Sequence, residues 1–166
     1  MQLTVVQGDI TAQVVDAVVN AANRGMRGGG GVDGAIHRVG GPAVLEDCKA
    51  RFPGGLDTGE AGWTTAGALP ARWVIHVVGP NYTVGETDRS LLVSCYANAL
   101  RVADELGART VAFPLVSAGI YGWPKDDAVR AAVDTLRSTP TSVEEARMVA
   151  FDASTYDRIR AAIDPS

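Results

Sequence analysis

The segment "NAANRGMRGGGGVDGAIHR", residues 20–38, places four consecutive glycines between an apolar run and a helix-forming pattern. Glycine loses more conformational freedom on folding than any other residue, so such a run is either flexible or held by something it binds. Backbone N–H groups without a Cβ in the way can converge on an anion at a helix N-terminus. The segment therefore predicts a strand–loop–helix unit whose loop binds an anion.

Short apolar runs alternate with longer helix-period stretches along the rest of the chain. Several of the apolar runs are continuous, which suits strands of a sheet that is covered on both faces. This alternation predicts an α/β domain with a largely parallel sheet. The predicted strands cover residues 3–7, 17–20, 61–65, 73–78, 110–113 and 147–151, and the predicted helices cover residues 32–39, 43–51, 88–106, 124–137 and 155–163.

Residues at the helix ends support these boundaries. Pro124 is expected in the first turn of its helix, and Gly107 is expected to end the long helix before the strand at 110–113. Ser154 and Asp157 have the spacing of a capping box. We find no internal repeat and no linker, so the 166 residues are predicted to form one domain.

Charge and cysteine content exclude several kinds of partner. The net charge is −4 and the arginines form no cluster, whereas a nucleic-acid duplex requires clustered positive charge. Cys48 and Cys95 are isolated from each other and have no metal-ligand spacing to His37 or His76. We therefore expect two buried thiols, no metal site and no cofactor.

The length and position of the apolar runs also indicate where in the cell the protein is expected. Residues 1–9 have neither the basic start nor the apolar stretch of a signal peptide. No run approaches the roughly 20 apolar residues that a membrane helix needs. We expect a cytoplasmic monomer without membrane association.

Ligands of open α/β sheets bind beyond the carboxyl ends of the strands. This rule selects five loop segments of the predicted fold as candidates for a binding site, and most of the unusual residues of the chain lie in them. The segments are residues 8–11, 20–33, 79–82, 114–124 and 151–156.

The glycines contain the pattern G-x-G-x-x-G at Gly29, Gly31 and Gly34, but its context disfavours a dinucleotide-binding fold. Residues 21–27 separate the strand from the glycines, and no strand-ending acid follows about 20 residues later. A phosphate-binding P-loop is disfavoured because no glycine precedes Lys and then Ser or Thr.

A second glycine segment, "SAGIYG" at residues 117–122, follows an apolar run and leads into the next predicted helix. It can also aim N–H groups at a phosphate, and two such loops beyond neighbouring strands suit a diphosphate. Two flexible turns are the alternative. Ser117 is not the nucleophile of a hydrolase elbow, because Leu115 occupies the position where that motif needs glycine.

Polar and aromatic residues flank the glycine segments. Asn23 can donate and accept hydrogen bonds at once, which suits a ribose diol. Asp33 is either a functional acid or the N-cap of the helix that follows. Asp9 can accept a hydrogen bond from an adenine amino group or cap the next turn. Phe151 can stack on a base or belong to the core.

The two histidines have structural explanations. His76 lies between Ile75 and Val77 in an apolar strand, and we predict a buried histidine with satisfied hydrogen bonds rather than a catalytic one. His37 follows Asp33 by four residues on the same helix face, so it either orients that acid or packs the helix.

Six motifs occur in an order that resembles the macrodomain family, specifically its MacroD-like ADP-ribosyl hydrolases. They are "GDIT" at 8–11, "VVNAAN" at 18–23, "GGGGVDGAIHR" at 28–38, "TGEA" at 58–61, "VIHVVGP" at 74–80 and "SAGIYGWP" at 117–124. The resemblance implies a three-layer α/β/α fold with a mixed, mostly parallel central sheet and an ADP-ribose cleft at its crest.

The resemblance also implies roles for individual residues. Asp9 would bind the adenine amino group, Asn23 would hold the distal ribose, and Asp33 stands where these enzymes carry the acid linked to hydrolysis. Asn23 and Asp33 are thus the candidate catalytic residues. The implied ligand-binding residues are Asp9, Ile10, Gly30, Gly31, Val32, Ser117, Ala118, Gly119, Ile120, Tyr121 and Phe151.

The implied reaction is removal of mono-ADP-ribose from acidic side chains of modified proteins, together with deacetylation of O-acetyl-ADP-ribose. Aspartate is a weak base at neutral pH, so Asp33 would orient a water near the distal ribose rather than act alone as a strong base. A reader module that binds ADP-ribose without turnover, or a phosphatase acting on ADP-ribose 1″-phosphate, are the alternatives. A reader has no need of an acid at the spacing of Asp33 from Asn23.

The sequence departs from the family pattern at three points near the implied cleft. Arg24 and Arg27 stand where small polar and apolar residues are common, and they would strengthen diphosphate attraction or change which modified proteins fit. Ala118 replaces a common threonine. Tyr121 would shield the distal ribose.

Overall fold

The computed structural model describes residues 1–165 and contains one six-stranded sheet. The strands are β1 (Gln2–Gln7), β2 (Ala17–Ala22), β3 (Ala61–Thr65), β4 (Trp73–Val78), β5 (Thr110–Phe113) and β6 (Glu145–Ala150). The helices are α1 (Gly31–Gly40), α2 (Pro42–Arg51), α3 (Arg89–Leu106), α4 (Lys125–Ser138) and α5 (Ala153–Ile163). All predicted strands and helices are therefore present.

The strand order in the sheet is β1-β6-β5-β2-β4-β3. Every neighbouring pair is parallel except β3 with β4, which is antiparallel. The mixed, mostly parallel sheet is confirmed. Because β1, β2, β4, β5 and β6 are parallel, their carboxyl ends meet at one edge, and all five predicted loop segments start there.

Helices cover both faces of the sheet, because successive strand residues point to opposite sides. Ala17 and Val19 of β2 belong to the large buried cluster that includes α3 and α4. Val18 belongs to a second cluster with Ile36 of α1. The result is the expected three-layer α/β/α arrangement.

Two helix starts differ from prediction. Pro124 is the N-cap of α4 rather than a residue of its first turn. Ser154 and Asp157 do not form a capping box, because α5 begins at Ala153 and Asp152 is its N-cap. The Asp152 carboxylate accepts from the Thr155 N–H at 2.8 Å and so satisfies a free donor of the first turn.

Gly107 and the two cysteines lie as the sequence predicts. Gly107 ends α3 in the left-handed conformation, with φ of 73°. Cys48 and Cys95 are buried free thiols. Within residues 1–165, no helix combines the length and the apolar character needed to cross a membrane.

Candidate functional site

The first glycine loop leads directly into α1 at the carboxyl edge of the sheet. Gly30 is the N-cap, and Gly31 begins the helix with φ of 60°, a conformation that favours glycine. The N–H groups of the first helical turn have no partner within a helix. These donors lie at the end of the loop where the sequence predicts anion binding.

The second loop, residues 117–122, contacts the first loop through one side chain. Ile120 Cδ1 lies 3.1 Å from the position that a Cβ on Gly30 would occupy. In the described part of the chain, no group accepts from the N–H groups of Gly119, Ile120 or Tyr121. The two predicted loops therefore meet with free N–H donors on both sides.

Ser117 holds the second loop in a strained conformation. Its φ is 64°, which is uncommon for a residue with a side chain, and it is buried. Its Oγ has no hydrogen-bond partner among residues 1–165. Such strain persists only where the surroundings impose it, and it is concentrated at binding sites. The neighbour that permits it is Gly79, after β4.

Gly79→Ala is expected to destabilise the protein by about 1–3 kcal/mol, the usual cost of overpacking. A Cβ on Gly79 would overlap Ser117 Oγ and lie 2.7 Å from Val116 Cγ1. Urea unfolding measures the change. Gly119→Ala is the matched control, because a Cβ there meets nothing within 4 Å. Equal stability of the two variants would contradict the proposed close approach.

Asp33 lies in the first turn of α1 and does not cap the helix, so the N-cap alternative is wrong. The glycine conformation at Gly31 starts the helix earlier than the sequence suggests. Asp33 is 4% exposed, and its Oδ1 accepts from Asn20 Nδ2 at 2.7 Å. His37 Nε2 lies 3.4 Å from the same oxygen, so His37 contacts the acid as one of the two interpretations predicts.

The second oxygen of Asp33 faces the glycine loop. Oδ2 is buried and has no hydrogen-bond partner among the described residues. A Cβ on Gly29 would lie 3.1 Å from Asp33 Oδ2 and 3.2 Å from Asn23 Nδ2. The two candidate catalytic side chains therefore both lie against Gly29, where an added Cβ would crowd them.

Asn23 also shapes the loop that it belongs to. Its Nδ2 donates to the Gly28 carbonyl at 3.0 Å, and its Oδ1 accepts from the Met26 N–H at 3.2 Å. Met26 is buried with φ of 58°. The side chain thus has a local structural function, which the sequence reading does not predict.

A cluster of buried polar residues lies behind Asp33 and consists of Asn20, Thr64 and His76. Asn20 and His76 are register partners on β2 and β4, and Asn20 Nδ2 lies 3.1 Å from His76 Nδ1. His76 Nε2 lies 2.8 Å from Thr64 Oγ1. Burial lowers the pKa of His76 to about 3, with a further contribution from the nearby His37, so the ring is neutral near pH 7.

His76 is thus the buried and satisfied histidine that the sequence predicts, but its partners are new. No role for Asn20 or Thr64 is predicted from the sequence. An available signal was the single amide in the apolar strand around residues 17–22, because a buried amide requires hydrogen-bond partners.

Asp9 and Phe151 lie at the other end of the site. Asp9 Oδ1 accepts from Thr11 Oγ1 at 2.6 Å and from the Thr11 N–H at 2.9 Å, and these bonds lower the pKa of Asp9. Asp9 therefore caps the following turn. Phe151 is 91% exposed, so its interpretation as a core aromatic is wrong. Gly8 N–H donates to the Ala150 carbonyl at 2.9 Å, which brings the two loops together.

Comparison with known proteins places this site in a family. The sequence profile of the Macro domain matches residues 19–132, which include both glycine loops. The chain belongs to the Macro domain family. A macro domain-containing protein of Streptomyces coelicolor is 59% identical over 163 residues, covering 96% of each chain.

Two further macrodomains have informative names. O-acetyl-ADP-ribose deacetylase 1 of Pantoea vagans is 45% identical over 162 residues, covering 94% of this chain and 95% of the relative. The crystal structure of the Trypanosoma brucei macrodomain in complex with ADP-ribose matches with a TM-score of 0.88 and 37% identity. That match covers 98% of this chain and 69% of the solved chain.

Both unusual arginines of this macrodomain are engaged by protein groups. Arg24 forms an ion pair with Glu86, which also accepts from the Asn81 N–H at 2.8 Å. Burial raises the pKa of Tyr121, and the Glu86 carboxylate raises it further. The Arg24–Glu86 pair thus joins the loops after β2 and β4 beside Tyr121.

Arg27 makes no ion pair among residues 1–165 and instead holds the backbone. Its guanidinium donates to the carbonyls of Gly25, Met26, Phe52 and Pro53, at 3.1–3.2 Å. These bonds tie the loop before the glycines to the loop after α2. Both arginines therefore have local structural contacts beside the first glycine loop.

Proposed function

We propose that this macrodomain binds ADP-ribose and hydrolyses the ester that links its distal ribose to an acidic side chain of a modified protein. Deacetylation of O-acetyl-ADP-ribose breaks the same kind of bond, and relatives named for that activity support it. The observation that carries the proposal is the convergence of Asp33 Oδ2 and Asn23 Nδ2 beside Gly29.

The site offers suitable groups for each part of ADP-ribose: the adenine, the diphosphate and the distal ribose. Asp9 and Phe151 offer a carboxylate and an exposed ring for the adenine. The free N–H groups of α1 and of residues 119–121 suit the diphosphate between them. Asn23 and Asp33 lie on the β2 side of these loops and suit the distal ribose. Ile120 must move from Gly30 to admit the diphosphate.

Asp33 acts by orientation in this proposal. Its Oδ1 is occupied by Asn20, so Oδ2 is the oxygen left to accept a hydrogen bond from water. In this proposal the glycine loop shifts when ligand binds, and the shift exposes the buried Oδ2 to water. The water oxygen bonds to the acyl carbon and the bond from that carbon to the ribose oxygen breaks. The ribose oxygen takes one proton of the water to become a hydroxyl, and the acid leaves as a carboxylate with the other proton released to solvent. Holding the reactants in this geometry supplies much of the rate.

A reader without turnover is the second candidate, because the two loops alone suffice for binding. The buried acid favours the enzyme. Burying a carboxylate costs free energy unless it is hydrogen-bonded, and among residues 1–165 Asp33 Oδ2 has no hydrogen-bond partner, whereas Oδ1 accepts from Asn20. A reader would gain nothing from an unpaired Oδ2. The same cleft also admits ADP-ribose 1″-phosphate, for which phosphate release is the readout.

The test is release of ADP-ribose from a glutamate-modified protein, measured with EDTA present and alongside ADP-ribose affinity by calorimetry. Wild type and the control variant Asp134→Asn are expected to release ADP-ribose equally. Asp134 is exposed on α4, and Asp134→Asn removes one negative charge, as a substitution of Asp33 does. Binding without release would make this macrodomain a reader. Phosphate release from ADP-ribose 1″-phosphate, with the modified protein unchanged, would support the phosphatase.

A further inference from the structure

We propose that His76 is a positioning residue that fixes the Asp33 carboxyl through Asn20. This inference rests on the proposed hydrolase function. The three side chains come from β4, α1 and β2, and all three are nearly or fully buried. The path runs from His76 Nδ1 to Asn20 Nδ2 at 3.1 Å and from Asn20 Nδ2 to Asp33 Oδ1 at 2.7 Å.

The observed orientation of Asn20 fits one tautomer of His76, and it leaves Asn20 Oδ1 buried without a hydrogen-bond partner among residues 1–165. Asn20 Nδ2 carries two protons, of which one points to Asp33 Oδ1 and the other to His76 Nδ1. His76 Nδ1 is then an acceptor, and the ring proton lies on Nε2. Thr64 Oγ1 accepts that proton at 2.8 Å and donates its own to the Thr65 carbonyl at 3.0 Å.

The reverse orientation of Asn20 conflicts with an ionised Asp33. It would place the Asn20 oxygen against Asp33 Oδ1 at 2.7 Å, which brings two acceptors together. The contact of Asn20 with Asp33 therefore places the ring proton of His76 on Nε2, where Thr64 Oγ1 can accept it. The hydrogen bonds from His76 through Asn20 hold Asp33 Oδ1 toward the sheet, so that Oδ2 stays beside Gly29.

The expected consequence is a loss of rate without a loss of affinity. His76 lies in the sheet behind Asp33 and forms no part of the two glycine loops. Releasing Asn20 leaves His37 Nε2, at 3.4 Å, as the remaining side-chain contact of Asp33 Oδ1 in the described chain, so the Asp33 carboxyl can rotate away from the reacting ester. Misplacement of a catalytic group by about 1 Å costs on the order of 100-fold in rate.

Two substitutions separate this function from a packing function. His76→Leu keeps an apolar side chain in the core but removes the acceptor for Asn20. His76→Asn leaves a small cavity, yet its amide oxygen lies near the wild-type Nδ1 position and accepts from Asn20. We expect His76→Leu to lower kcat by about 10- to 100-fold with ADP-ribose affinity near wild type, and His76→Asn to recover most of the loss.

The possible results separate the positioning function of His76 from the proposed hydrolase function. Wild-type turnover together with unchanged kcat in His76→Leu would overturn the positioning function alone. Absence of turnover in the wild type would overturn the hydrolase proposal and the positioning function with it. Should His76→Leu fail to fold, ¹⁵N NMR of the wild-type imidazole still decides. A proton on Nε2 supports the inference, and a proton on Nδ1 refutes it.

Discussion

Asp33→Ala is expected to lower kcat for ADP-ribose release by about 100-fold or more, within the range that positioned acid–base groups contribute. The substitution removes Oδ2, the only Asp33 oxygen without a protein partner in the described chain. It also removes the acceptor for Asn20 Nδ2 and leaves that donor buried, which costs about 1–3 kcal/mol of stability. ADP-ribose affinity should stay close to wild type, because both diphosphate loops are intact. Single-turnover release and calorimetry on the same sample measure the two quantities.

Asp33→Asn separates the chemistry from the folding cost. The amide oxygen that it introduces can still accept from Asn20, so we expect near-wild-type stability. The amide nitrogen then faces Gly29 in place of Oδ2, and a donor there cannot accept a hydrogen bond from the water. The kcat of Asp33→Asn should therefore fall as far as that of Asp33→Ala. Turnover equal to wild type in Asp33→Asn would refute the assignment of Oδ2 to the water.

Gly119→Glu is expected to weaken ADP-ribose binding by about 100-fold or more, equivalent to about 2.7 kcal/mol. Gly119 lies in the second glycine loop, where its N–H has no acceptor among residues 1–165 and is proposed to bind the diphosphate. Two like charges about 4 Å apart repel by about 1 kcal/mol in water and by about 4 kcal/mol near a protein surface. The glutamate side chain adds bulk where the ligand must lie. Calorimetric titration with ADP-ribose measures the loss.

Gly119 makes this an unusually clean substitution. A Cβ at Gly119 meets nothing within 4 Å, so the fold and its melting temperature should be unchanged. Gly119→Gln has nearly the same size without the charge, and it is expected to lose less affinity than Gly119→Glu. Normal ADP-ribose affinity in Gly119→Glu would mean that residues 117–122 do not bind the diphosphate.

The sequence alone predicts the framework of this macrodomain well. Apolar runs and helix-period stretches are local patterns, because the side chains that share a face lie within one or two turns of each other. The parallel direction of five strands is then enough to predict that the loops after them lie at one edge of the sheet. The position of the glycine loops at that edge was therefore predictable, and the motif order pointed to the correct family.

The helix ends were harder to predict, since several nearby residues compete for the same free N–H groups. Asp152 caps α5 instead of Ser154, and Gly31 starts α1 before Asp33. Both competing residues have good local chemistry. Which residue becomes the N-cap depends on the direction in which the chain leaves the preceding strand, and the spacing of residues in the sequence does not give that direction.

Side-chain partners across the fold were decided by tertiary structure alone. Asn20 meets His76 from 56 residues away, and Arg24 meets Glu86 from 62 residues away. The sequence marks Asn20 only as a polar residue in an apolar strand. Strand order and register place it opposite His76 and beneath Asp33. Local composition thus determined which residues could bind and react, whereas the packing of β2, β4 and α1 decided which oxygen of Asp33 remains free. Hydrogen bonds act over about 3 Å, and only the folded chain brings distant residues that close.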